Sequence, residues 1–209
     1  MSAKAAAPPP IGQPDPPDLD DEALLVEHVG DLPDGRRIDL EDARVVGVAF
    51  AGVSLEEATL TDVELVGCDL AGADLTAATL RRVTFANCRL TGLLAPEARF
   101  EHVRIVDAPM TEAWLRATRW ERCEVDGCDL TGADLYGAQL RQTRLTRCTL
   151  AGVEMSTALL DRVALHGSTL DGLLGGEALR GAIIGPGQIV EVALPLFAAM
   201  GIRISEEPG

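Results

Sequence analysis

Residues 128–147 read CDLTG ADLYG AQLRQ TRLTR, and this stretch shows a five-residue unit with leucine at its centre. The same register runs from Val45 to Leu170, where every fifth position gives 26 slots. All slots except Ala95 hold a large apolar residue, and 16 of them hold leucine. A second column, two residues before the first, holds small or medium side chains, and neither column contains a charge. This part of the chain therefore consists of an internal repeat with a period of five residues.

A period of five residues restricts the backbone conformation. In extended chain, residues two apart point to the same side, so both apolar columns point inward. Because five is odd, strand alternation would reverse the faces at each repeat unless the chain turns once per repeat. An α-helix is excluded, since a period of five matches neither 3.6 nor 3.5 residues. The pattern predicts a coil whose interior is formed by the two apolar columns.

A second period of twenty residues predicts the number of faces. Four repeats per coil correspond to twenty residues, and ~6.5 such coils would be ~31 Å long at ~4.8 Å per strand spacing. Residues spaced by multiples of twenty are Gly52, Gly72, Gly92, Gly132, Gly152 and Gly172, the second set Gly47, Gly67, Gly127 and Gly167, and Cys68, Cys88, Cys128 and Cys148.

The unit resembles the A(D/N)LXX repeat of the pentapeptide-repeat family. The resemblance covers about two thirds of the chain. It implies an all-β repeat fold, a right-handed quadrilateral β-helix (solenoid), here with a short helical C-terminal cap. The units that show it best are Cys68–Gly72 (CDLAG), Ala73–Ala77 (ADLTA), Cys128–Gly132 (CDLTG) and Ala133–Gly137 (ADLYG).

The composition divides the chain into four parts. Residues 1–20 are rich in Pro, Ala and Asp, which predicts a disordered tail. Residues 21–39 are the expected N-terminal cap, with a short helix at Asp21–Val29 and a turn at PDG 33–35. Residues 40–174 form the solenoid, and residues 175–209 form the C-terminal helical cap and tail.

The C-terminal part departs from the register. The inward positions are expected to slip by one residue, to Leu174, Leu179 and Ile184. Residues 188–200 (QIVEVALPLFAAM) are helix-like, but Pro195 favours the first turn of a new short helix over a helix interior.

Further predictions concern the end of the chain and two irregular positions in the solenoid. Gly201 is expected to end the C-terminal helix, and Ile202 and Ile204 to form a closing strand. Ala95 followed by Pro96 is expected to weaken one turn. Trp120 is expected to be a bulky inward residue.

Net charge and cysteine usage restrict the function. The net charge of -15 argues against direct nucleic-acid binding, which needs surplus Lys and Arg. No apolar run reaches the ~20 residues of a membrane span, and no secretory signal is visible. Five cysteines without a CxxC motif favour free thiols in a reducing cytoplasm.

No motif for catalysis, a cofactor or a metal is recognised, so we expect a non-enzymatic protein. The cysteines all fall in the small inward column and suit the core, with metal binding or cross-linking of stacked thiols as the alternative. His28, His102 and His166 are isolated, the last two in outward slots. The aspartates before inward leucines are expected to bond turn backbone.

One acidic face is the predicted partner-binding surface. The face of Leu55, Leu75 and Leu115 has a net charge of -5, the adjoining face has -3, and the other two have +1 and zero. Trp and Tyr, which often anchor interfaces, occupy outward slots there. The predicted partner-binding residues are Leu94, Glu97, Trp114, Asp134, Tyr136, Glu154, Asp74 and Asp129.

Two functions follow from these features. The first is a non-catalytic protein-interaction or scaffold solenoid that presents its acidic face to a protein partner. The alternative is implied by the resemblance: several family members resemble duplex DNA and bind DNA gyrase or topoisomerase IV. Duplex DNA carries one charge per ~1.7 Å, or about 18 over ~31 Å. Residues 40–175 hold 20 acids but also 13 Arg, which favours the first reading. An ice-binding threonine face is disfavoured, because outward Thr is scattered.

The C-terminal cap offers more apolar surface than one capping face needs. A homodimer is therefore a further hypothesis, with simple capping as its alternative; the resemblance adds that a C-terminal helix joins two solenoids in gyrase-binding relatives. The predicted dimerisation residues are Ile189, Val192, Leu196, Phe197 and Met200.

Overall fold

The computed structural model describes residues 10–20, 23–27 and 38–202. Thirteen strands in this part of the chain are joined by parallel pairings. They are β1 (Leu24–Val26), β2 (Asp39–Val46), β3 (Thr59–Val66), β4 (Thr79–Ala86), β5 (Arg99–Glu101), β6 (Arg104–Val106), β7 (Arg119–Glu121), β8 (Glu124–Asp126), β9 (Gln139–Arg141), β10 (Arg144–Thr146), β11 (Leu159–Asp161), β12 (Val163–Ala164) and β13 (Ala182–Ile183).

The pairing register confirms the period of twenty. Leu60 pairs with Leu80, and Phe100 with Trp120. The chain therefore forms a four-sided β-solenoid. We name its faces in chain order by an inward residue: the first by Leu60, the second by Leu65, the third by Leu70 and the fourth by Leu75.

The strands occupy two of the four faces. The first face carries β5, β7, β9 and β11, and the second carries β1, β6, β8, β10, β12 and β13; β2, β3 and β4 bend over the corner between them. The third and fourth faces are joined by single bridges, such as Asp69–Arg89 and Asp74–Leu94. The second face shows about eight turns, or ~38 Å at ~4.8 Å each.

The two apolar columns form the core, as the sequence predicts. Leu130, Leu135, Leu140 and Leu145 lie on four successive faces, and all are at most 3% exposed. Large side chains from the four faces thus meet inside a narrow tube.

Trp120 is buried, as predicted. Its ring stacks on Phe100 with centroids 4.1 Å apart. Its indole N–H donates to the Thr118 hydroxyl at 2.9 Å, and that hydroxyl donates to the Leu115 carbonyl at 2.7 Å. The polar atom that a buried indole introduces is therefore satisfied.

A left-handed residue turns the chain at every corner. Every fifth residue from Asp42 to Gly172 has φ between 49° and 70°. On the third face the Ala73 N–H donates to the Leu70 carbonyl at 3.0 Å, with Gly72 at φ 62°. This is the arrangement of a type II turn, in which the third residue needs positive φ.

The turn at Ala95–Pro96, which the sequence predicts to be weak, has the same geometry as the other turns. Ala95 is fully buried, and the Ala98 N–H donates to its carbonyl at 3.2 Å. Pro96 is the second residue of this turn and Glu97 is the third, with φ 62°. Proline suits the second position because its ring fixes φ near -65°.

The N-terminal cap contains a strand where a helix was expected. Within Asp21–Val29, the described residues form β1, which pairs with β2 at an offset of nineteen, Val26 opposite Val45. The open edge of β2 offers unpaired backbone groups, and this tertiary contact overrides helix propensity. The turn predicted at 33–35 lies outside the described residues.

Residues 10–20 also differ from the expected disordered tail. They lie along the second face near its corner with the first. The Arg144 guanidinium donates to the Ile11 carbonyl at 2.8 Å, and the Asp18 N–H donates to the Asp62 carboxylate at 2.9 Å. Composition alone predicted disorder because it contains no information about the solenoid surface, which supplies hydrogen-bonding partners to these residues.

The C-terminal register shift occurs later than expected. Leu174 is 54% exposed and bridges to Glu154, so it points outward, contrary to the prediction. A 3₁₀ turn at Gly176–Gly181 follows and contains buried Leu179. The turn shortens the coil by one residue, because β13 pairs with β12 at an offset of nineteen, Val163 opposite Ala182.

Helix α1 (Ile189–Ala199) continues through Pro195, contrary to the prediction of a break. Pro195 is buried and packs against Gly176, where a Cβ would overlap the Pro195 carbonyl. This packing holds the proline inside the helix although it removes one backbone donor.

The end of α1 follows the prediction. Gly201 has φ 72°, and its N–H donates to the Ala198 carbonyl at 3.0 Å. The Ile202 N–H donates to the Phe197 carbonyl at 2.8 Å, which completes a Schellman motif. Ile202 forms no strand, and Ile204 lies outside the described residues. Among the helices described, none has the length and apolar character needed to cross a bilayer.

Candidate protein-binding site

The fourth face carries an arginine held between two aromatic rings. The Arg116 guanidinium lies 5.5 Å from the Trp114 ring centroid and 5.6 Å from the Tyr136 ring centroid. Its Nε donates to the Asp134 carboxylate at 2.6 Å. Cation–π attraction and the ion pair together hold both rings against one cation.

Both rings remain accessible although they are held in place. Trp114 is 47% exposed and Tyr136 is 46% exposed. Leu94, Trp114 and Arg116 also line a shallow recess together with Thr76, Pro96, Glu97 and Ala117. We call Leu94, Trp114, Arg116 and Tyr136 the aromatic patch.

The local sequence explains how an apolar residue reaches this surface. In three fourth-face repeats, those of Asp74, Asp134 and Glu154, the carboxylate before the inward residue accepts the N–H two residues later; Asp74 accepts from Thr76 at 2.9 Å. At Leu94 the residue two positions later is Pro96, which has no N–H to satisfy. An apolar side chain can therefore replace the acid without leaving a donor unpaired.

Most predicted acidic site residues have such a turn role, as the sequence predicted for the aspartates. The Asp134 carboxylate accepts the Tyr136 N–H at 3.0 Å, Glu154 accepts the Ser156 N–H at 2.6 Å, and Asp129 accepts the Thr131 N–H at 3.0 Å. These carboxylates are held rigid by the turns, so they present fixed negative charge.

The structure brings together part of the predicted set. Asp134 contacts the aromatic patch through Arg116, and Glu97 lies at its edge. Asp74 and Glu154 lie on the same face. Asp74 is one coil before Leu94, and Glu154 is one coil after Asp134. Asp129 lies on the third face.

Arg116 is the member of the aromatic patch that the sequence analysis did not name. The sequence contains a signal for it: Arg116 lies two residues after Trp114 and one coil before Tyr136, so the period of twenty places it between both rings.

Ion pairs between neighbouring coils reduce the free negative charge of the solenoid. Asp62 and Asp126 each accept a bidentate pair, from Arg82 and Arg147, and these arginines hold the pKa of both carboxyl groups below the usual range. Further pairs are Arg44–Glu64, Arg89–Asp69, Arg104–Glu124, Arg116–Asp134, Arg141–Asp161 and Arg144–Glu124.

The cysteines are buried free thiols in the inward column. Burial raises the pKa of Cys128 to about 11 and that of Cys123 and Cys148 to about 12, so these thiols stay protonated at neutral pH. Cys68 and Cys88 lie one coil apart, and the interaction between their thiols lowers the pKa of Cys68 to about 7 and raises that of Cys88. Across the residues that the structure describes, no cluster of His, Cys, Asp and Glu could hold a metal ion.

The predicted dimerisation residues lie on two different sides of α1. Val192 is buried and Leu196 is partly buried against the end of the solenoid, so neither is available to a second copy. Ile189, Phe197 and Met200 are exposed, together with Val190 and Leu194. The helical period explains the division, because one stripe of α1 faces the solenoid and the rest faces outward.

The comparisons agree with the fold. The family model described as pentapeptide repeats matches residues 38–76, 54–92, 108–147 and 138–172. The chain therefore belongs to the pentapeptide-repeat family. No curated protein is significantly similar to it.

Solved pentapeptide-repeat structures align with low identity. HetL, involved in heterocyst differentiation regulation in the cyanobacterium Nostoc, is 24% identical, with 71% of this chain and 81% of HetL covered and a TM-score of 0.31. Trypsin-treated QnrB1, a plasmid-mediated fluoroquinolone resistance protein, is 17% identical, with coverage of 88% and 98% and a TM-score of 0.40. A protein from the Arabidopsis thaliana thylakoid lumen is 23% identical, with coverage of 58% and 72% and a TM-score of 0.26.

Proposed function

We propose that the solenoid is a non-catalytic scaffold that binds a protein partner through the aromatic patch and the acids around it. The observation that carries the proposal is the pair of half-exposed rings held by Arg116. Aromatic residues and arginine dominate the binding energy of many protein interfaces. Here they lose little side-chain freedom on binding, because the patch is already ordered.

The charge around the patch indicates the kind of partner. Asp74 and Glu154, both held by turn bonds, lie on either side of Leu94 and Trp114 in the same column, and Glu97 lines the recess beside them. A complementary surface would present basic side chains around an apolar recess. Such complementarity increases the association rate and suppresses binding of acidic proteins.

Affinity capture with immobilised variants tests the proposal. We expect the wild type to retain a specific protein from a bacterial lysate, and Trp114→Ala to lose at least tenfold of that protein, because the central ring is removed. Glu97→Lys should weaken capture by a smaller factor that shrinks at high salt.

Leu159→Ala is the matched control. Leu159 is 65% exposed and lies on the first face, away from the patch. Equal capture by the wild type, Trp114→Ala and Leu159→Ala would contradict the proposed surface.

DNA mimicry toward DNA gyrase or topoisomerase IV is the alternative function. In its favour, Asp74, Asp134 and Glu154 lie in one column along one face of a rigid rod, with Leu94 and Trp114 between Asp74 and Asp134. Against it, Arg116 neutralises Asp134 and ion-pair ladders neutralise other acids. We therefore expect no effect of micromolar protein on gyrase supercoiling. Inhibition that the charge reversal Glu154→Lys abolishes would favour mimicry instead.

Homodimerisation through the exposed side of α1 is a second proposal about assembly. Ile189, Leu194 and Met200 are exposed by 61%, 59% and 72%. Light scattering should give twice the chain mass for the wild type and a monomer for Leu194→Asp. A monomeric wild type would contradict the dimer and favour the alternative, in which α1 only covers the end of the solenoid.

The proposed place of action is the cytoplasm. The support is chemical: five free thiols persist best in a reducing compartment. Fractionation of cells that produce the protein should recover it with cytoplasmic markers.

A further inference from the structure

The N-terminal residues 10–20, which we call the strap, occupy a groove unrelated to the aromatic patch. The strap runs antiparallel to the growth of the solenoid, from Ile11 beside Arg144 to Asp20 beside Asp42. In its middle, the Asp15 N–H donates to Nδ1 of His102 at 2.9 Å. It therefore crosses five coils.

Burial along the strap repeats every third residue. Ile11, Pro14 and Pro17 are partly buried, and the two residues after each of the first two are exposed. Three residues per turn is the period of the polyproline II helix, which four prolines between positions 10 and 17 favour. The strap thus presents one edge to the solenoid and two to solvent.

The strap and the solenoid have matching repeats. One polyproline II turn advances ~9.3 Å, and two coils advance ~9.6 Å. The contacts follow this match: the N–H groups of Asp15 and Asp18, three residues apart, bond His102 and Asp62, which are two coils apart. Any extended chain of this conformation could keep the same register.

The groove under the strap contains more arginines than acids. Its cations are Arg82, Arg104, Arg122 and Arg144, with His102 at the centre, and its acids are Asp42, Asp62 and Glu124. The strap brings three carboxylates, Asp15, Asp18 and Asp20. The first of these lies 3.2 Å from the His102 ring, so the strap places negative charge along a groove in which arginines outnumber acids.

Two groove residues are covered rather than exposed. The His102 side chain is 9% exposed and that of Arg144 is 19% exposed, although both belong to outward columns. Nδ1 of His102 accepts the Asp15 N–H, and the Arg144 guanidinium donates to the Ile11 carbonyl. The groove therefore has buried polar groups that the backbone of an extended chain satisfies.

We propose that this groove is a binding site for an acidic polyproline II segment of a partner protein, and that the strap is its intramolecular occupant. The backbone of such a segment repeats the N–H contacts of Asp15 and Asp18, and its carboxylates repeat the negative charges that the strap places along the groove. The tethered strap competes at an effective concentration in the millimolar range. Binding in trans therefore requires that the strap leave the groove.

Fluorescence anisotropy with the full chain tests the proposal. The probe is a labelled peptide with the sequence of residues 8–20, PPPIGQPDPPDLD. A loosened variant carries Pro14→Gly, Asp15→Asn, Pro17→Gly and Asp18→Asn. We expect it to bind the peptide at least tenfold more tightly than the wild type, with affinity falling as salt rises.

Two control peptides test the chemistry of the segment. One has asparagine in place of both aspartates at positions 15 and 18, and the other has one glycine inserted between the positions of Asp15 and Pro16. Both should bind the loosened variant at least fivefold more weakly, because charge or spacing is lost. Equal binding of the inserted peptide would overturn the register argument.

Matched arginine substitutions test the location. In the loosened variant, Arg82→Gln and, separately, Arg122→Gln should each weaken peptide binding at least fivefold, whereas Arg99→Gln on the first face should not. Circular dichroism verifies that each variant is folded. The proposal is overturned if the loosened variant binds no peptide, if Arg99→Gln has the same effect, or if the loosened variant instead dimerises by exchanging straps.

Discussion

At the residue scale, the left-handed corner position decides the backbone. Every coil requires four such residues, and non-glycine side chains occupy many of them at a cost of ~1 kcal/mol each. Ala77 and Arg82 are examples, with φ 56° and 50°. Glycine recurs at these corners because it removes this cost.

Gly92→Ala isolates the corner strain. Gly92 has φ 64°, and a Cβ there would meet nothing within 4 Å. We expect a loss of about 1 kcal/mol in the free energy of unfolding, from backbone strain alone. Ala77→Gly is the reverse control and should be neutral or stabilising. Urea titration measures the free energy of unfolding of both variants. An unchanged value for Gly92→Ala, relative to the wild type, would refute the strain argument.

The Asp62–Arg82 pair predicts a dependence of stability on pH. Arg82 lowers the pKa of Asp62 in the folded state below the ~3.9 of an unfolded chain. The stabilisation is therefore complete above the unfolded value and lost as pH falls through the folded value. We expect the difference in unfolding free energy between the wild type and Asp62→Asn to be constant above pH 5 and to shrink below pH 4.

Arg82→Gln provides the control for the ion pair. It should remove the same pH dependence, and the double variant should add little to either single variant. A wild-type profile that runs parallel to that of Asp62→Asn from pH 6 to pH 2 would contradict the assignment.

At the element scale, both ends of the solenoid are closed by coils that break the repeat. β1 and β13 pair at an offset of nineteen residues, and α1 covers the last coil through Val192 and Pro195. At the C-terminal end, the closing coil must pass close to the coil before it. Gly181 is required for that approach, since a Cβ would overlap the Leu160 carbonyl.

Gly181→Ala tests the closing coil. Backbone overlap should displace β13 and α1, so we expect a lower thermal midpoint than that of Gly92→Ala and faster hydrogen exchange in β12. Gly187→Ala is the matched control, because nothing lies within 4 Å of a Cβ at that position. Equal midpoints for Gly181→Ala and Gly187→Ala would show that the close approach is unimportant.

At the scale of the whole molecule, the solenoid is a one-dimensional array in which each coil contacts its neighbours. Core residues of successive coils occupy equivalent positions, as Leu60 and Leu80 do. Removal of a full coil therefore preserves every inward and outward assignment. Removal of any other number near twenty moves core residues to the surface.

Deletion of residues 138–157 removes one coil and joins Gly137 to Ala158, the equivalent of Ala138. We expect a folded protein that X-ray scattering shows to be shorter by ~4.8 Å. Deletion of residues 140–157, eighteen residues, should unfold or aggregate. Equal folding of both variants would contradict the strict register.

Sequence alone determined the repeating part of this protein: the inward columns, one turn per repeat and the four faces. It could do so because each coil makes the same contacts as the next, so a local pattern repeated along the chain contains the fold. It also placed Leu94, Trp114 and Tyr136 on one face, but it did not identify Arg116 as the centre of the patch.

The tertiary structure decided the parts where contacts occur once. The strap joins residues 87 and 133 positions apart, Asp15 with His102 and Ile11 with Arg144. The β1 strand forms because β2 offers an open edge, and Pro195 is held in α1 because it packs on Gly176. Such contacts have no period, so their stability depends on surfaces that exist after the solenoid has formed.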